Sequence, residues 1–542
     1  MRSVPNHPTH DRAMTDAARA APPIRPVPRG LLYVTAGLTG GLVMVIEILG
    51  ARVIGPFFGV SLFVWTALIS VTLLSLALGY ATGGWLADRH PSADWLYGLI
   101  AAAGAYVLLI PAFKVGVMEF GLGFGLRGGT FVAAMLLFGP SLFLLGCVSP
   151  YLLRLAAADM ARLGRTAGVL YAVSTAGSFA GSALTGFYLL GYVGVSNGLR
   201  LAGALLVGLA LLHFLLARRW AGLAAAVALL PAAAVQHGLP SVTLPDGTEA
   251  RVIAAQDGFY GAVKVIEYRG SHLATREMII DGLVQGGMDA SDGRPIYEYA
   301  YLLSRLPLAV RPDGRSALVV GLGMGAAPRW LTHAGIDTEV VEIDPLVHEM
   351  ARRHFAFPES IPVHIEDART YLARDGRQYD FILLDVFNGD TTPGYLLSLE
   401  ALEAVKSRLS AGGVLALNLI GGVHGEDAML PAIVRTLEQV FGGVSLHPAY
   451  APTPGQPLAG NFVLLASDGP LRFATRPALD DAHPLAASVR QLALLPPVPV
   501  DTTGATVLTD EFNPLDLLDT RYKESVRRQI IETTPHEILL AG

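Results

Sequence analysis

Residues 317–345, ALVVGLGMGAAPRWLTHAGIDTEVVEIDP, decide the fold. An apolar strand runs into a glycine-rich turn, a helix follows, and a second strand ends in acidic residues. Gly321, Gly323 and Gly325 allow a tight turn and the close approach of a ligand to the backbone. Glu342 ends the second strand at about the spacing from which an acidic residue grips a ribose diol. The stretch therefore predicts a unit that binds a nucleotide or nucleoside.

Strands and helices continue to alternate after this unit. Strand-like and helical runs follow one another as TEVVEID, VHEMARRHF, PVHIED, YDFILLD, LEALEAVKSRL and GGVLALNLI. Such alternation predicts a parallel, doubly wound α/β sheet, Rossmann-like and methyltransferase-type, with its ligand at the carboxyl ends of the strands. We assign residues 311–542 to this domain. Residues 239–310 show strand alternation and then helical spacing, which predicts a small antiparallel β-layer with a linking helix.

The amino-terminal half has a different composition. Apolar residues make up 52% of the chain and charged residues 15%. Six apolar runs are about as long as a helix that crosses a bilayer. They lie at 31–50, 61–87, 95–113, 128–150, 166–190 and 199–217. A seventh run at 221–236 is shorter and contains a proline, so it could span, re-enter or lie at the interface. We expect a transmembrane domain of six or seven helices at 30–238, preceded by a disordered tail at 1–29. The fifth run is rich in small residues, which favours close helix packing.

Arginine and lysine placement predicts the orientation in the membrane. The tail and the loops on its side carry Arg2, Arg12, Arg19, Arg25, Arg29, Arg89, Arg154, Arg162, Arg165, Arg218 and Arg219, whereas the opposite side carries Arg52, Lys114, Arg127 and Arg200. The amino terminus is therefore expected in the cytoplasm of a bacterial-type inner membrane. Six spans would keep the soluble half there as well, and seven would place it outside. We expect the cytoplasm, because the nucleotide or nucleoside ligand expected of the glycine-rich unit is made there.

Two ionisable residues lie in or near the first span. Glu47 is within it and Arg52 is near its end. A charge at membrane depth is expensive and usually has a partner or a function. The favoured interpretation is a Glu47–Arg52 polar pair or pairing with another helix, and the alternative is a polar substrate site between helices.

Charge and cysteine content exclude several classes of function. The net charge is −6 and no basic patch is present, which argues against a nucleic-acid partner. Cys147 is the single cysteine, so a disulfide framework and a cysteine-based zinc site are excluded. No histidine cluster points to a metal, and we expect none.

Acidic residues end three strands of the predicted sheet. Asp367 ends HIED and Asp385 ends FILLD, in addition to Glu342. Acids at successive strand ends fit an S-adenosyl ligand, which has no phosphate for a helix end to bind. A dinucleotide such as NAD is the less favoured ligand, and each acid alone could also be a helix cap.

Several motifs together resemble a known family. The stretches IIDGLVQGG, Tyr299 ahead of LPL, VVGLGMG, VEIDP, EDARTYL and LLDVFNGD occur in the order seen in polyamine aminopropyltransferases, the spermidine synthase family. The layout is similar to the membrane-fused branch of that family. There an apolar amino-terminal half with an E-x4-R-x3-P stretch comes first, and a stretch like residues 508–514, LTDEFNP, closes the chain.

The resemblance implies roles for individual residues. S-adenosylmethionine or its decarboxylated form would be the donor and would contact Gln285, the glycine loop with Gly321, Gly323 and Gly325, Glu342 at the ribose, and Asp367 with Ala368 at the adenine. Asp385 would receive the proton of an attacking amine. An ammonium cannot attack, so a base must free its lone pair. Tyr299, Asn388 and Asp390 would contact the acceptor.

Two departures from the family pattern weaken the simplest assignment. Met324 stands where the family has an aspartate that holds the donor's amine, and Asn388 replaces the family's second active-site aspartate. Asp390 could substitute for one of them, and Asp510 or Glu511 could fold back into the site. A charged amine without a counter-ion in an apolar pocket is costly.

Three functions therefore stay open. The favoured one is aminopropyl transfer to an amine. The second is an S-adenosylmethionine-dependent transferase, such as a methyltransferase, with a lipid or other membrane-held acceptor. The third is a polyamine transporter or sensor whose synthase-like domain only binds. A homodimer is one option for the oligomeric state, which the sequence does not fix.

Overall fold

A computed structural model describes residues 28–59, 62–157, 163–228, 238–271, 273–374, 376–387, 393–423, 428–450, 459–475, 477, 479 and 483–541. The amino-terminal half is a bundle of helices: α1 (Arg29–Phe58), α2 (Leu62–Arg89), α3 (Ala93–Leu122), α4 (Gly125–Leu137), α5 (Gly139–Gly146), α6 (Val148–Ala156), α7 (Leu163–Leu184), a π-helical turn (Thr185–Val193), α8 (Val195–Leu216) and α9 (Trp220–Val227). In this part of the chain, six helical segments are long and apolar enough to cross a membrane. They overlap the six predicted runs.

Close packing of small residues joins α1 to α7. A Cβ atom on Gly177 would lie 1.9 Å from the carbonyl oxygen of Gly37, and one on Gly181 would lie 2.4 Å from that of Gly41. Only glycine leaves room for backbones at this separation. The small residues of the fifth run therefore serve the predicted purpose.

The carboxyl-terminal half contains two sheets. Strands β1 (Ser241–Thr243), β2 (Glu249–Asp257), β3 (Ala262–Arg269), β4 (Ala274–Ile280) and β5 (Leu283–Asp289) form an antiparallel layer in sequence order. Helix α10 (Glu298–Val310) links it to a seven-stranded sheet of order β11-β12-β10-β9-β6-β7-β8. The predicted antiparallel layer, linking helix and methyltransferase-type sheet are confirmed.

The seven-stranded sheet is mixed rather than wholly parallel. Its strands are β6 (Ser316–Val320), β7 (Asp337–Glu342), β8 (Val363–Ile365), β9 (Tyr379–Leu384), β10 (Leu409–Gly422), β11 (Gly443–Pro448) and β12 (Ala459–Ser467), and the helices between them are α11 (Ala326–His333), α12 (Pro345–His354), α13 (Ala368–Ala373), α14 (Leu399–Ser407) and α15 (Met429–Val440). β12 pairs antiparallel with both β10 and β11. The ten residues between β11 and β12 are too few for a crossover between parallel neighbours, so this pair is antiparallel. The strand order reverses between β6 and β9, which is where ligands of such sheets bind.

The chain ends in helices that the sequence analysis did not predict. They are α16 (Ala486–Leu494), α17 (Leu515–Leu518), α18 (Thr520–Thr533) and α19 (His536–Leu539). The guanidinium of Arg527 is fully buried and donates to the carbonyl oxygens of Pro56 and Asp281, at 3.1 and 3.0 Å. Lys264, in the β-layer, donates to the carbonyls of Ile538 and Leu539. These contacts fasten the last helices to both halves of the protein.

The two ends of the helical bundle have different neighbours. At the end where α1 begins, Arg219 pairs with Asp94 at 3.0 Å. At the end where α1 finishes, the bundle meets the carboxyl-terminal half. There Arg52 donates to the carbonyl of Phe259 at 2.6 Å, and Arg127 pairs with Glu524 at 2.6 Å.

The start of α1 and the two-sheet half consequently lie at opposite ends of the bundle. α8 returns the chain to the first end, where Arg219 lies, whereas β1 begins at Ser241 in the half that meets the second end. α9, which follows Arg219, packs along α8. Six crossings would return the chain to the end where α1 begins, yet the two-sheet half meets the other end. The cytoplasmic placement of the amino terminus and of the soluble half stays a prediction.

We predict that reporters on the two termini report opposite sides of the membrane. A phosphatase active only outside the cytoplasm and a fluorescent protein active only inside it would be fused in turn to each terminus of the full chain. A truncated chain that ends after Arg219 is the control, and its carboxyl-terminal reporter should match the amino terminus. Two termini of the full chain on one side would contradict the arrangement.

Candidate active site

The glycine turn after β6 lies against the end of β9. Gly321 has φ +89°, and a Cβ atom there would lie 2.1 Å from the carbonyl oxygen of Asp385. The backbone N–H of Asp385 donates to Val320 at 2.8 Å. No side chain fits between the two strand ends, so glycine is required, and the turn and Asp385 share one edge of the sheet.

Glu342 organises the turn from the neighbouring strand. Its buried carboxylate accepts hydrogen bonds from the backbone N–H groups of Leu322 and Asp344, both at 2.8 Å. Burial raises the pKa of Glu342 to about 7, although the two N–H donors favour the charged form. Glu342 therefore holds the loop in shape, and it also lines the cavity described below.

Asp385 is positioned by two amides that the sequence analysis missed. The side-chain amide of Asn418 donates to Asp385 Oδ1 at 2.8 Å, and that of Asn461 donates to Asn418 Oδ1 at 3.1 Å. Because Asn461 donates to the oxygen of Asn418, the nitrogen of Asn418 has to face the carboxylate. Asp385 Oδ2 makes no hydrogen bond within the described residues. Burial raises the pKa of Asp385 to about 6.

A cavity of about 280 Å³ opens at these strand ends. Among the predicted residues, Gln285, Gly321, Gly323, Glu342, Ala368 and Asp385 line it. Asp344 and Glu366 add two further carboxyl groups, and Tyr260 and Tyr395 add two phenols. The lining contains no lysine, arginine or histidine within the described part of the chain. The cavity is therefore suited to a cation.

Asp367 has a different position from its neighbours. Its Oδ1 caps α13 by accepting from the N–H and hydroxyl of Thr370, at 2.9 and 3.0 Å. Its Oδ2 accepts from Tyr395 at 3.1 Å. Glu366 and Ala368 line the cavity on either side of it. The capping role was weighed from the sequence, and the adenine role of Asp367 stays a prediction.

Met324 is packed in the core behind the cavity. A Cβ atom on Gly286 would lie 3.2 Å from Met324 Cγ and 3.3 Å from the hydroxyl oxygen of Tyr299. That hydroxyl donates to the carbonyl of Gln285 at 2.9 Å. Burial, with the charge of Asp385 second, raises the pKa of Tyr299 well above its usual value. A thioether therefore fills the space beside β5, and Tyr299 fixes the strand that carries Gln285.

Other predicted residues lie away from the cavity. Gly325 starts α11 in the left-handed region, with φ +81°, and packs on a phenylalanine. Asp510 pairs with Arg369, so it does not fold back into the site. Asn388 and Asp390 lie outside the described residues.

In the described structure Arg52 has partners other than Glu47, with which it is predicted to pair. Arg52 lies 3.8 Å from Asp281 and bonds the carbonyl of Phe259. Residues five apart point about 140° away from each other around a helix. Arg52 therefore reaches the neighbouring domain and not Glu47.

Comparisons with known proteins match both halves of the chain. The family model for the "Spermine/spermidine synthase domain" matches residues 297–473. A polyamine aminopropyltransferase of Vibrio vulnificus is 30% identical over 238 residues, which cover 42% of this chain and 78% of that protein. One of Mycobacterium tuberculosis is 27% identical over 487 residues, which cover 79% of this chain and 90% of that one. An N-terminal histidine N-methyltransferase of Emericella nidulans is 39% identical over 133 residues, and the chain spans only 24% of its length.

We predict that Asp385→Asn stabilises the ligand-free protein at alkaline pH. The folded pKa of about 6 lies above the usual 3.8, so the wild type is most stable with Asp385 protonated and loses stability as pH rises from about 4 to about 6. Asparagine avoids that loss, which is at most about 3 kcal/mol. Thermal unfolding in detergent should show a higher midpoint for the variant at about pH 8 and a smaller difference at about pH 5. A difference that does not depend on pH would contradict the cause given.

Proposed function

The chain belongs to the spermidine synthase-like family of polyamine aminopropyltransferases, and we propose that it transfers an aminopropyl group from decarboxylated S-adenosylmethionine to an amine. Support comes from the relatives named above, from the methyltransferase-type sheet and from the cavity at its strand-order reversal. The chemistry is assigned to Asp385, and the nucleoside contacts to Gln285, Glu342, Ala368 and the glycine turn.

The carboxyl groups of the cavity favour one form of the donor over the other. Glu342, Asp344 and Asp385 face a space lined by no described cation, and Glu366, which also lines it, is paired with Arg374 at 2.6 Å. Decarboxylated S-adenosylmethionine has a sulfonium and an ammonium group and no carboxylate, so its charge complements this lining. S-adenosylmethionine itself would bring a carboxylate among four acids. The acids at other strand positions compensate for the aspartate that Met324 replaces.

The reaction follows from the position of Asp385. The amine nitrogen forms a bond to the carbon next to the sulfonium, the carbon–sulfur bond breaks, and its electron pair returns to sulfur to give neutral methylthioadenosine. The proton of the amine passes to Asp385 Oδ2, since Oδ1 is held by Asn418. In-line displacement from a sulfonium needs alignment above all, which the fixed turn and the fixed base supply.

We propose that the two-sheet half faces the cytoplasm of a bacterial-type inner membrane, because adenosyl nucleosides are made there. The amino terminus then lies on the other side. This orientation runs against the arginine distribution, so donor supply is the deciding argument.

The by-product identifies the reaction. Purified protein would be incubated with each donor form and a soluble diamine, and the products measured by mass spectrometry. We expect methylthioadenosine from the decarboxylated donor, and no turnover by Asp385→Asn although calorimetry still detects nucleoside binding. Adenosylhomocysteine would instead establish methyl transfer, the alternative that the histidine N-methyltransferase relative favours. Nucleoside binding without either product would favour a sensor or transporter.

We also predict that Asn418 controls the pH dependence of turnover. Activity should rise as pH rises through about 6, the pKa of Asp385. Asn418→Leu removes a charge-assisted hydrogen bond worth roughly 1.5–3 kcal/mol, so the acidic limb of the profile should move up by about one to two pH units. Asn461→Leu leaves the nitrogen of Asn418 free to rotate and should give a smaller shift. A profile that stays in place in Asn418→Leu would contradict the positioning role.

A further inference from the structure

A second chamber lies between the helical bundle and the two-sheet half. Its volume is about 700 Å³, which is in the range of binding sites for amphiphiles and drug-sized molecules. The ends of α1, α2 and α4 form one wall, and α17 and α18 form the opposite one. The chamber exists only because the membrane half and the carboxyl-terminal helices are in one chain.

The rim of the chamber continues the lipid-facing surface of α2. Phe63 and Trp65 line it and are 38% and 43% exposed. Further along α2, Ile69, Leu73 and other large apolar side chains are exposed in the same way. Across the opening, Leu517 of α17 is 75% exposed. Such an apolar border predicts lateral entry of a molecule from the bilayer.

The charged groups of the chamber are largely paired with each other. Arg127 bonds Glu524 at 2.6 Å, and Lys523 lies 3.2 Å from Asp516. Arg52 bonds the carbonyl of Phe259. The chamber therefore offers no strong net charge to a small polyamine, and its mixture of paired charges and aromatic rings is typical of the headgroup level of a membrane.

The inner wall of the chamber is shared with the donor cavity. Tyr260 lines both spaces. Burial and the charges of Asp344, Asp367 and Glu342 raise the pKa of its phenol, so the ring lies among the cavity acids. On the other side of the wall, Asn513 of the chamber donates to the carbonyl of Gly394 at 2.8 Å, next to cavity residues. A head group that enters the chamber would therefore lie close to a donor bound in the cavity.

A buried carboxylate oxygen without a described hydrogen-bond partner lies at this wall. Asp344 is 4% exposed, and its Oδ1 caps α12 by accepting from the N–H of Leu346 at 2.9 Å. Its Oδ2 has no hydrogen-bond partner within the described part of the chain. The side chain lines the donor cavity, and it lies close enough to Arg52 and Asp281 of the chamber for their charges to act on its pKa. A buried unpaired carboxylate oxygen is costly unless a ligand completes it, and an ammonium head is the matching group.

We propose that the chamber binds the acceptor, and that this acceptor is a membrane amphiphile with a primary amine head, which passes Tyr260 and is received by Asp344. The inference rests on the proposed function for the chemical step: the head-group nitrogen takes the aminopropyl carbon, sulfur keeps the electron pair, and Asp385 takes the proton. The apolar part of the amphiphile would stay at Phe63, Trp65 and Leu517.

The test uses the full chain in two kinds of bilayer. One contains phosphatidylcholine alone, whose quaternary nitrogen has no proton to lose, and the other adds phosphatidylethanolamine. With decarboxylated S-adenosylmethionine, we expect aminopropylated phosphatidylethanolamine by mass spectrometry and unmodified phosphatidylcholine. A parallel reaction with a soluble diamine reports on the proposed function. If the diamine is converted and the lipid is not, the chamber inference is overturned and the proposed function stands.

Two variants examine the chamber and its inner wall. Leu517→Trp fills the opening and should lower lipid conversion by about tenfold, whereas Leu494→Trp, at an exposed position of α16 away from the chamber, should not. Asp344→Asn keeps a side-chain oxygen for the cap of α12 and should raise KM for the lipid more than it lowers kcat. Equal effects of the two tryptophans, or an unchanged KM in Asp344→Asn, would overturn the assignment.

Occupancy can be measured without turnover. A photoreactive phosphatidylethanolamine should label α17 or α18, and unlabelled phosphatidylethanolamine should compete while phosphatidylcholine does not. This labelling separates the two ideas even if no acceptor is converted, because it depends on the chamber alone. Absence of labelling in these helices would overturn the site.

Discussion

The cavity between β6 and β9 gathers carboxyl groups, of which Glu366 is paired with Arg374 at 2.6 Å and the others have no cation in ion-pair contact within the described residues. Glu342, Asp344, Glu366 and Asp385 line one space of about 280 Å³. Burial raises the pKa of Asp385 to about 6 and that of Glu342 to about 7. Burial thus disfavours the ionised form of both carboxyl groups, which is the form that a cationic ligand would need. The fold supports this arrangement with backbone N–H groups at Glu342 and an amide at Asp385. A bound sulfonium nucleoside, the proposed donor, would bring a positive charge that favours the ionised form of these carboxyl groups.

The sequence predicts the elements of this site well and their contacts less well. Strand ends, the glycine turn and the positions of Glu342 and Asp385 follow from periodicity and spacing. Asp367 illustrates the limit, since the sequence allows either a ligand contact or a helix cap and the structure shows its carboxylate engaged in the cap. Asn418 and Asn461 are separated by 43 positions and meet through the antiparallel pairing of β10 with β12. Polar residues within apolar strands near the predicted base were the available signal, but strand register was needed to use it.

The arrangement of the two halves could not be read from hydropathy. Six apolar runs are plain in the sequence, whereas the end of the bundle that meets the two-sheet half shows only in long-range contacts. Those contacts involve charged side chains that look like ordinary loop or helix-end residues. Arg52 is an example, because its partners Phe259 and Asp281 are more than 200 positions away. Long-range pairs of this kind fix the end of the bundle that the two-sheet half contacts.

The joint between the halves is built to be rigid. Arg527 is buried between backbone carbonyls of the bundle and the β-layer, and a buried guanidinium without such acceptors would cost several kcal/mol. Lys264 has its pKa lowered to about 7, chiefly by burial, yet bonds the carbonyls of α19. If the membrane half served only to keep a synthase domain at the membrane, a flexible linker would be enough and these contacts would not be needed. The contacts on both sides of the chamber would instead hold its inner wall in place beside the cavity, as the proposed transfer from a bound sulfonium to a membrane-held nucleophile requires.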